Sequence, residues 1–238
     1  MILQSLVYLT TWLLTSLYIN HHGPSTTIAP IFTKYHNRIY SLFSLLLCLF
    51  ILFISFQSSY QDGLNSDGLD LDRLARNTFH LSKFYEYTDI LSVTALHTHH
   101  AIDLHFAFHH LTTPWLTFIR VLPDESCEGW RWFAAANTAH HALMYAYFGG
   151  VAGPRYTERL RRVLRWTGEG QLLLGMVVDV GVVWGRVVGK GEGVEGVWRF
   201  LVSGGLLGVY WGLNRRELGR RDRERKTVKD ESKEGKEE

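Results

Sequence analysis

YSLFSLLLCLFILFISF, residues Tyr40–Phe56, is the stretch that decides the class of fold. Its 17 residues carry no charge. A helix of about 17–25 apolar residues is long enough to cross the hydrocarbon core of a bilayer. Lipid offers no hydrogen-bond partner to the backbone, so a spanning segment of this kind is expected to be a helix. The stretch therefore predicts a transmembrane helix.

Similar segments occur along most of the chain of 238 residues, of which 46% are hydrophobic. The seven predicted spans are Ile2–Ile19, Tyr40–Phe56, Tyr87–Ala101, Leu104–Leu122, Trp130–Val151, Gln171–Val188 and Val197–Leu213. The first is expected to remain as a span, because MILQS lacks the basic residues that open a cleaved signal peptide. We predict an all-α integral membrane protein with about seven transmembrane helices in one bundle.

Basic residues in the short connections predict the orientation of the chain. Arg155–Arg165 and the segment that starts at Arg215 are strongly basic, whereas Pro123–Gly129 is acidic. Basic loops favour the cytosolic face, which predicts a lumenal N-terminus and a cytosolic C-terminus. We divide the chain into a polytopic membrane domain, residues 1–214, and a charged tail, residues 215–238, whose composition predicts disorder.

Histidines are concentrated in an unusually apolar setting. HTHHAIDLHFAFHH, residues His97–His110, contains six imidazoles among Leu, Ile, Phe and Ala. An ionisable residue at membrane depth costs about 2.5–3.5 kcal/mol on insertion scales and usually faces a bundle interior or cavity. On a helix, His105 and His109 share a face, and Asp103 lies nearly two turns from His110, where it could orient that ring.

Two further segments align polar groups along helix faces. In KFYEYTDI the charged side chains occur at steps of three: Lys83, Glu86 and Asp89. In NTAHHALMYAYF one stripe contains Asn137, His141, Met144 and Tyr145. Buried polar groups without partners cost roughly 1–3 kcal/mol each. We therefore expect the three sets to converge on one cavity, either as a structural polar network or as a site.

The residues alone leave two kinds of chemistry open. Imidazole suits iron, zinc and copper, and the eight histidines from His97 to His141 match the number that membrane di-iron desaturases and hydroxylases use. Only one box of His-x-x-x-His-His form is present, however, and His97–His100 is too tight for helical ligands. The alternative is metal-free acid–base or nucleophilic chemistry. The two cysteines, Cys48 and Cys127, indicate neither a disulfide framework nor a thiolate site.

In their order and gaps these motifs resemble those of the ELO family of very-long-chain fatty acid elongases. The matching positions are Lys83-x-x-Glu86-x-x-Asp89, the pair His109–His110, and Asn137-x-x-x-His141-x-x-Met144-Tyr145-x-Tyr147. His36 and Asn37, before the second span, are also similar. The resemblance extends from about His36 to Tyr147 and more loosely to the last span.

This resemblance implies a multi-pass enzyme of the endoplasmic reticulum that condenses an acyl-CoA with malonyl-CoA. The products would be a 3-ketoacyl-CoA, CoA and carbon dioxide, and the helix bundle would enclose a tunnel for the acyl chain. The resemblance implies no metal and no cofactor besides the two CoA substrates. Expected partners are membrane lipid and either other elongation enzymes or a second copy of the chain, with no nucleic acid.

The matched positions also imply roles for individual residues. His109 and His141 would handle the acyl group as covalent acceptor or base, and His110 would orient it or shuttle protons. The complete catalytic set would be His105, His109, His110, Asn137 and His141, with Asn137 donating to developing negative charge. The substrate-binding set would be Lys83, Glu86, Asp89, Met144, Tyr145 and Tyr147.

The chain departs from the family pattern at several positions. His105 stands one place before the expected histidine, where Phe106 is found, and Ile90 replaces a threonine after Asp89. A late threonine–glutamine motif is reduced to Thr167 and Gln171. These departures keep two alternatives open, a non-catalytic elongase-like scaffold that binds acyl chains and a histidine-ligated di-iron oxidase.

Overall fold

A computed structural model describes residues 1–23, 28–60, 71–96, 102–151, 153 and 156–234. Its helices are α1 (Ile2–His22), α2 (Ile28–Tyr60), α3 (Leu71–Tyr85), α4 (Tyr87–Ala95), α5 (Leu104–Arg120), α6 (Trp130–Phe148), α7 (Thr157–Trp184) and α8 (Val194–Glu234). A 3-10 turn covers Asp124–Ser126, and a π-helical turn, Gly185–Gly189, follows α7. Within these ranges no residue is in a β-strand.

The apolar helices have the character expected of lipid-facing segments. By length and composition, three described segments can cross a membrane: Ile2–His22, Ile28–Gln57 and Thr157–Gly189. Large apolar side chains point outward along them, including Leu13, Phe53 and Val177, which are 59%, 56% and 67% exposed. The all-α membrane class is confirmed, while the number of crossings stays a prediction.

The structure describes only residues 87–96 of the predicted third span, Tyr87–Ala101, and these contain helix α4. This helix ends at Ala95 and is preceded by α3, with a break at Glu86 between them. The buried side of α3 follows a helical repeat and combines apolar with charged side chains: Ala75, Arg76, Phe79, His80 and Lys83. Mean hydropathy does not identify such a helix, because the charged residues on its buried face offset the contribution of its apolar residues. His97–His100 lie outside the described residues.

The helices meet around two apolar clusters. One joins α2, α3 and α6 through side chains such as Ile51, Phe79 and Ala134, all 0% exposed. The other joins α5, α7 and α8 through Leu116, Leu172, Leu207 and Tyr210. Gly175 allows a close approach there, because a Cβ atom would lie 2.8 Å from Leu207 and 2.9 Å from Phe133. Small residues permit such approaches between membrane helices.

The two ends of α5 are fixed by polar contacts. At the start, the Asp103 side chain accepts a hydrogen bond of 2.7 Å from the Phe106 amide. Asp103 is therefore the N-cap of α5, while a carboxylate oxygen of Asp89 lies 3.8 Å from His110 Nε2; that Asp103 orients His110 stays a prediction. At the other end, Arg120 donates to Asp179 on α7 at 2.8 Å, and both side chains are buried. Arg120 also donates to the carbonyl oxygens of Ser126 and Glu128.

The charged tail has helical backbone where the sequence predicts disorder. Helix α8 continues through Arg215 to Glu234. Oppositely charged side chains at helical spacing stabilise exposed helices modestly, and Arg220 contacts Glu217 three positions earlier at 2.5 Å. The division into residues 1–214 and 215–238 stays a prediction.

Candidate active site

Glu86 lies at the centre of a buried polar cluster, where the break between α3 and α4 faces α2, α5 and α6. Its side chain is 0% exposed. Its Oε1 atom accepts from Lys83 Nζ at 2.7 Å, Tyr40 Oη at 3.2 Å and His141 Nδ1 at 2.9 Å. Three donors from three helices therefore hold one carboxylate oxygen, as the burial of a charge requires.

Lys83 extends this cluster to Asn137 and Gln171. The Lys83 ammonium group also donates to Asn137 Oδ1 at 2.6 Å, and Asn137 Nδ2 donates to Gln171 Oε1 at 2.8 Å. All three side chains belong to buried residues. The Asn137 amide is thereby held with its oxygen toward Lys83 and its nitrogen toward Gln171.

Asp89 forms a second carboxylate centre one turn along α4. Its Oδ1 atom lies 3.2 Å from His36 Nε2, and its Oδ2 atom accepts from the Tyr145 hydroxyl. His110 Nε2 lies 3.8 Å from the same Oδ2 atom. His36 also contacts the Tyr85 hydroxyl through Nδ1 at 3.1 Å. Asp89 thus links α2, α5 and α6 beside the Glu86 centre.

His109 and His141 approach each other across Glu86. One potential ligand atom from each of Glu86, His109 and His141 lies within 4.8 Å of the other two. Within the part of the chain that the structure describes, three buried atoms here have no hydrogen-bond partner: Glu86 Oε2, His109 Nδ1 and His110 Nδ1. Because His141 Nδ1 is directed at Glu86, its Nε2 atom carries the lone pair in the neutral ring. Such an imidazole can act as a base or a nucleophile.

His105 lines a basic cavity next to this cluster. The cavity has a volume of about 320 Å³ and is lined by Leu104, His105, Leu213, Arg216, Glu217, Arg220 and Arg223. It lies between the first turn of α5 and the charged continuation of α8. The His105 ring centroid is 5.7 Å from that of His109. His105 therefore stands between the cavity and the buried imidazoles.

The family model described as ELO: GNS1/SUR4 family matches residues 1–206. The chain belongs to the ELO family. It is also 30% identical over 134 residues to "Putative fatty acid elongase 3" of Caenorhabditis elegans. That match covers 56% of this chain and 39% of the relative, so the chain spans well under half of the relative's length. No solved structure matches the chain.

Most of the site residues predicted for this ELO member lie together. The Glu86 and Asp89 centres bring together seven of them: Lys83, Glu86, Asp89, His110, Asn137, His141 and Tyr145. His109 lies beside Glu86, and His105 next to His109. Met144 and Tyr147 are half-buried, and the described contact of Tyr147 is with the Phe148 ring. The roles assigned to all these residues stay predictions.

Sequence patterns assign no role to three buried polar residues, two of which, Tyr40 and Gln171, contact the candidate site. Tyr40 was seen only as the first residue of an apolar run, yet it donates to Glu86. Gln171 was considered wrongly spaced for the family motif, yet it contacts Asn137 directly. His80 on α3 is buried and contacts Thr117 Oγ1 at 2.7 Å. Polar groups at membrane depth were the available signal for all three.

Proposed function

We propose that this chain condenses an acyl-CoA with malonyl-CoA, forming a 3-ketoacyl-CoA, CoA and carbon dioxide. The observation that carries the proposal is the buried Glu86–His141 pair with His109 beside it. Membership of the ELO family and the named elongase relative support fatty acid elongation in general. An apolar helix bundle with imidazoles inside it suits the transfer of a long acyl chain.

In the first half of the proposed reaction an imidazole takes over the acyl group. His141 Nε2 or the neighbouring His109 nitrogen attacks the thioester carbonyl and the carbon–sulfur bond breaks. The proton lost from the other nitrogen of the attacking ring passes to the CoA thiolate, which leaves as a thiol. Glu86 holds the His141 ring in the reactive tautomer, as carboxylates do in other imidazole-based sites. The second imidazole serves as the base, and His110 orients it or shuttles the proton.

In the second half malonyl-CoA loses carbon dioxide, and the electron pair left on its α-carbon attacks the acyl carbonyl. The carbon–nitrogen bond to the imidazole then breaks, which frees the ring and releases the 3-ketoacyl-CoA. Negative charge develops on a carbonyl oxygen in both halves. We assign the stabilisation of that charge to Lys83, whose ammonium group donates to Glu86 and to Asn137 Oδ1, and to the Asn137 amide nitrogen, which donates to Gln171 in this structure. No metal takes part in this proposal.

The basic cavity around His105 is the proposed entry for the CoA moiety. CoA carries phosphate groups, which arginine binds through charge-assisted, often bidentate hydrogen bonds. Arg216, Arg220 and Arg223 line the cavity, and His105 connects it to His109. The positive-inside rule favours a cytosolic location for this basic end of α8. We accordingly propose the endoplasmic reticulum membrane as the location, with the N-terminus lumenal and the C-terminus cytosolic.

Partners besides the substrates follow from the same proposal. Membrane lipid surrounds the outward apolar side chains of α1, α2 and α7. Association with other elongation enzymes, or with a second copy of the chain, is proposed because the 3-ketoacyl product must be passed on for reduction.

Purified protein reconstituted in vesicles tests the proposal directly. With acyl-CoA and labelled malonyl-CoA, the wild-type chain should form 3-ketoacyl-CoA, and mass spectrometry should detect an acyl adduct on His109 or His141 when malonyl-CoA is omitted. His109→Ala and His141→Ala should each abolish the product. His140→Ala is the matched control, because His140 contacts Thr167 instead of Glu86.

If the purified wild-type protein is monodisperse and binds acyl-CoA but forms no product, the proposed function is contradicted. That result would favour the scaffold alternative, for which the displaced His105 is the specific observation. Normal turnover in both histidine variants would contradict the roles given to His109 and His141.

A further inference from the structure

The side chains of Glu86, His109 and His141 have a second chemical property, the donor set of a metal site. One carboxylate and two imidazoles come from three separate segments: the α3–α4 break, α5 and α6. One potential ligand atom from each lies within 4.8 Å of the others. Tertiary packing therefore brings the donors together, and a small inward shift would allow one ion to contact all three.

Two buried atoms of this triad have no hydrogen-bond partner among the described residues, and both can accept a cation. They are Glu86 Oε2 and His109 Nδ1. A buried polar atom without a partner costs roughly 1–3 kcal/mol, more if it is charged. A bound ion would remove this cost. The second oxygen of Glu86 is thus available even though Lys83, Tyr40 and His141 occupy the first.

The spacing between His141 and Glu86 suits two ligands of one ion. His141 Nδ1 lies 2.9 Å from Glu86 Oε1, so an ion that replaces the shared proton could contact both side chains. The Lys83 ammonium group, 2.7 Å from the same oxygen, opposes a second positive charge. Two of the three ligands are imidazoles, which suit an ion that accepts nitrogen, such as Zn²⁺, better than Mg²⁺ or Ca²⁺.

We propose that the Glu86–His109–His141 triad is an inhibitory binding site for a divalent transition-metal ion, represented by Zn²⁺. The binding part of this proposal depends only on the triad, whereas the inhibition part rests on the proposed condensation. An ion on His141 Nδ1 leaves the ring proton on Nε2, and a metal-bound nitrogen of His109 has no lone pair, so neither ring can attack a thioester or take a proton. Zn²⁺ should therefore stop the reaction reversibly.

Binding is measured on the purified full chain, first stripped with a chelator. Equilibrium dialysis against Zn²⁺ should give one saturable ion per chain, and Co²⁺ substitution should give the visible absorption bands of a site with nitrogen and oxygen ligands. His109→Ala and His141→Ala should each weaken binding by at least about tenfold, since even loss of an outer partner costs about 10–100-fold.

The matched control is again His140→Ala, which removes a neighbouring imidazole outside the triad and should leave Zn²⁺ binding unchanged. His109→Gln and His141→Gln repeat the test with side chains of closer size, and size-exclusion chromatography selects the variants that remain folded. Absence of saturable binding to the wild-type chain would overturn the site. Equal binding by wild type and triad variants would do so too.

Activity is assayed separately, so that the two proposals fail in different ways. Product formation in the presence of a chelator tests the condensation without any metal. Addition of Zn²⁺ should then abolish the product, and excess chelator should restore it. If the protein binds Zn²⁺ but forms no elongation product even with chelator present, the proposed function is contradicted and the proposed metal site is supported. Undiminished or increased elongation at saturating Zn²⁺ would overturn the inhibitory role.

Discussion

Replacing Lys83 with methionine removes the cation that holds the most buried carboxylate of the site. Lys83 is 2% exposed and Glu86 is 0% exposed, and 2.7 Å separates their charged atoms. Removing one partner of a buried ion pair leaves an uncompensated charge and typically costs about 3–5 kcal/mol. Tyr40 and His141 still donate to Glu86. We therefore expect Lys83→Met to lower the free energy of unfolding by about 3 kcal/mol, the lower end of that range.

The double variant Lys83→Met/Glu86→Gln separates pairing from packing. With the carboxylate neutral as well, much of the loss should be regained, and the coupling between the two positions should be roughly 1–3 kcal/mol. Reversible unfolding in mixed micelles measures the free energy of unfolding of the wild type, of each single variant and of the double variant. A loss below about 1 kcal/mol in the Lys83→Met single variant, the range of exposed pairs, would refute the claim that water is excluded from this pair.

Three further perturbations test other parts of the structure. Asp103→Ala should lower the free energy of unfolding by about 0.5–2 kcal/mol through loss of the α5 cap, whereas Asp103→Ser should largely preserve it. Gly175→Ala should cost about 1–3 kcal/mol because the added methyl group meets neighbouring helices. Gly181→Ala on the same helix, with open space around it, should instead stabilise the protein by up to about 1 kcal/mol, since alanine is the better helix former; equal effects would contradict the close approach. Arg216→Gln should raise the KM for malonyl-CoA about tenfold, the effect of one charge-assisted hydrogen bond, and leave kcat unchanged; an unchanged KM would exclude Arg216 from CoA binding.

The sequence predicted the features that depend on local pattern. The uncharged run Tyr40–Phe56 gave the membrane class, and the steps of three and four along KFYEYTDI and NTAHHALMYAYF placed Glu86, Asp89 and His141 on faces that do converge. Such periodicities are properties of a single helix. The same residues therefore share a helix face in the folded bundle.

The features that were missed depend on how different helices meet. Spacing alone suggested Asp103 as the carboxylate for His110 and did not indicate that Asp103 caps α5 or that Asp89 lies near His110. Gln171 does not have the spacing of the family motif, yet it contacts Asn137 on α6. Sequence spacing within α7 does not reveal which residues of α7 face α6. Helix α3 was overlooked because a mean hydropathy cannot distinguish paired buried charges from exposed ones.

The charged buried face of α3 has a consequence for the biogenesis of the protein. Arg76 donates to Asp124, which lies 48 residues later in the chain. Lys83 donates to Asn137, which lies 54 residues later. When α3 leaves the ribosome, these partners have not yet been synthesised, and only the local carboxylates of Asp72 and Glu86 can pair with the two cations. A charged group at membrane depth costs about 2.5–3.5 kcal/mol on insertion scales. We therefore expect α3 to enter the bilayer late, together with the segments that complete its polar contacts.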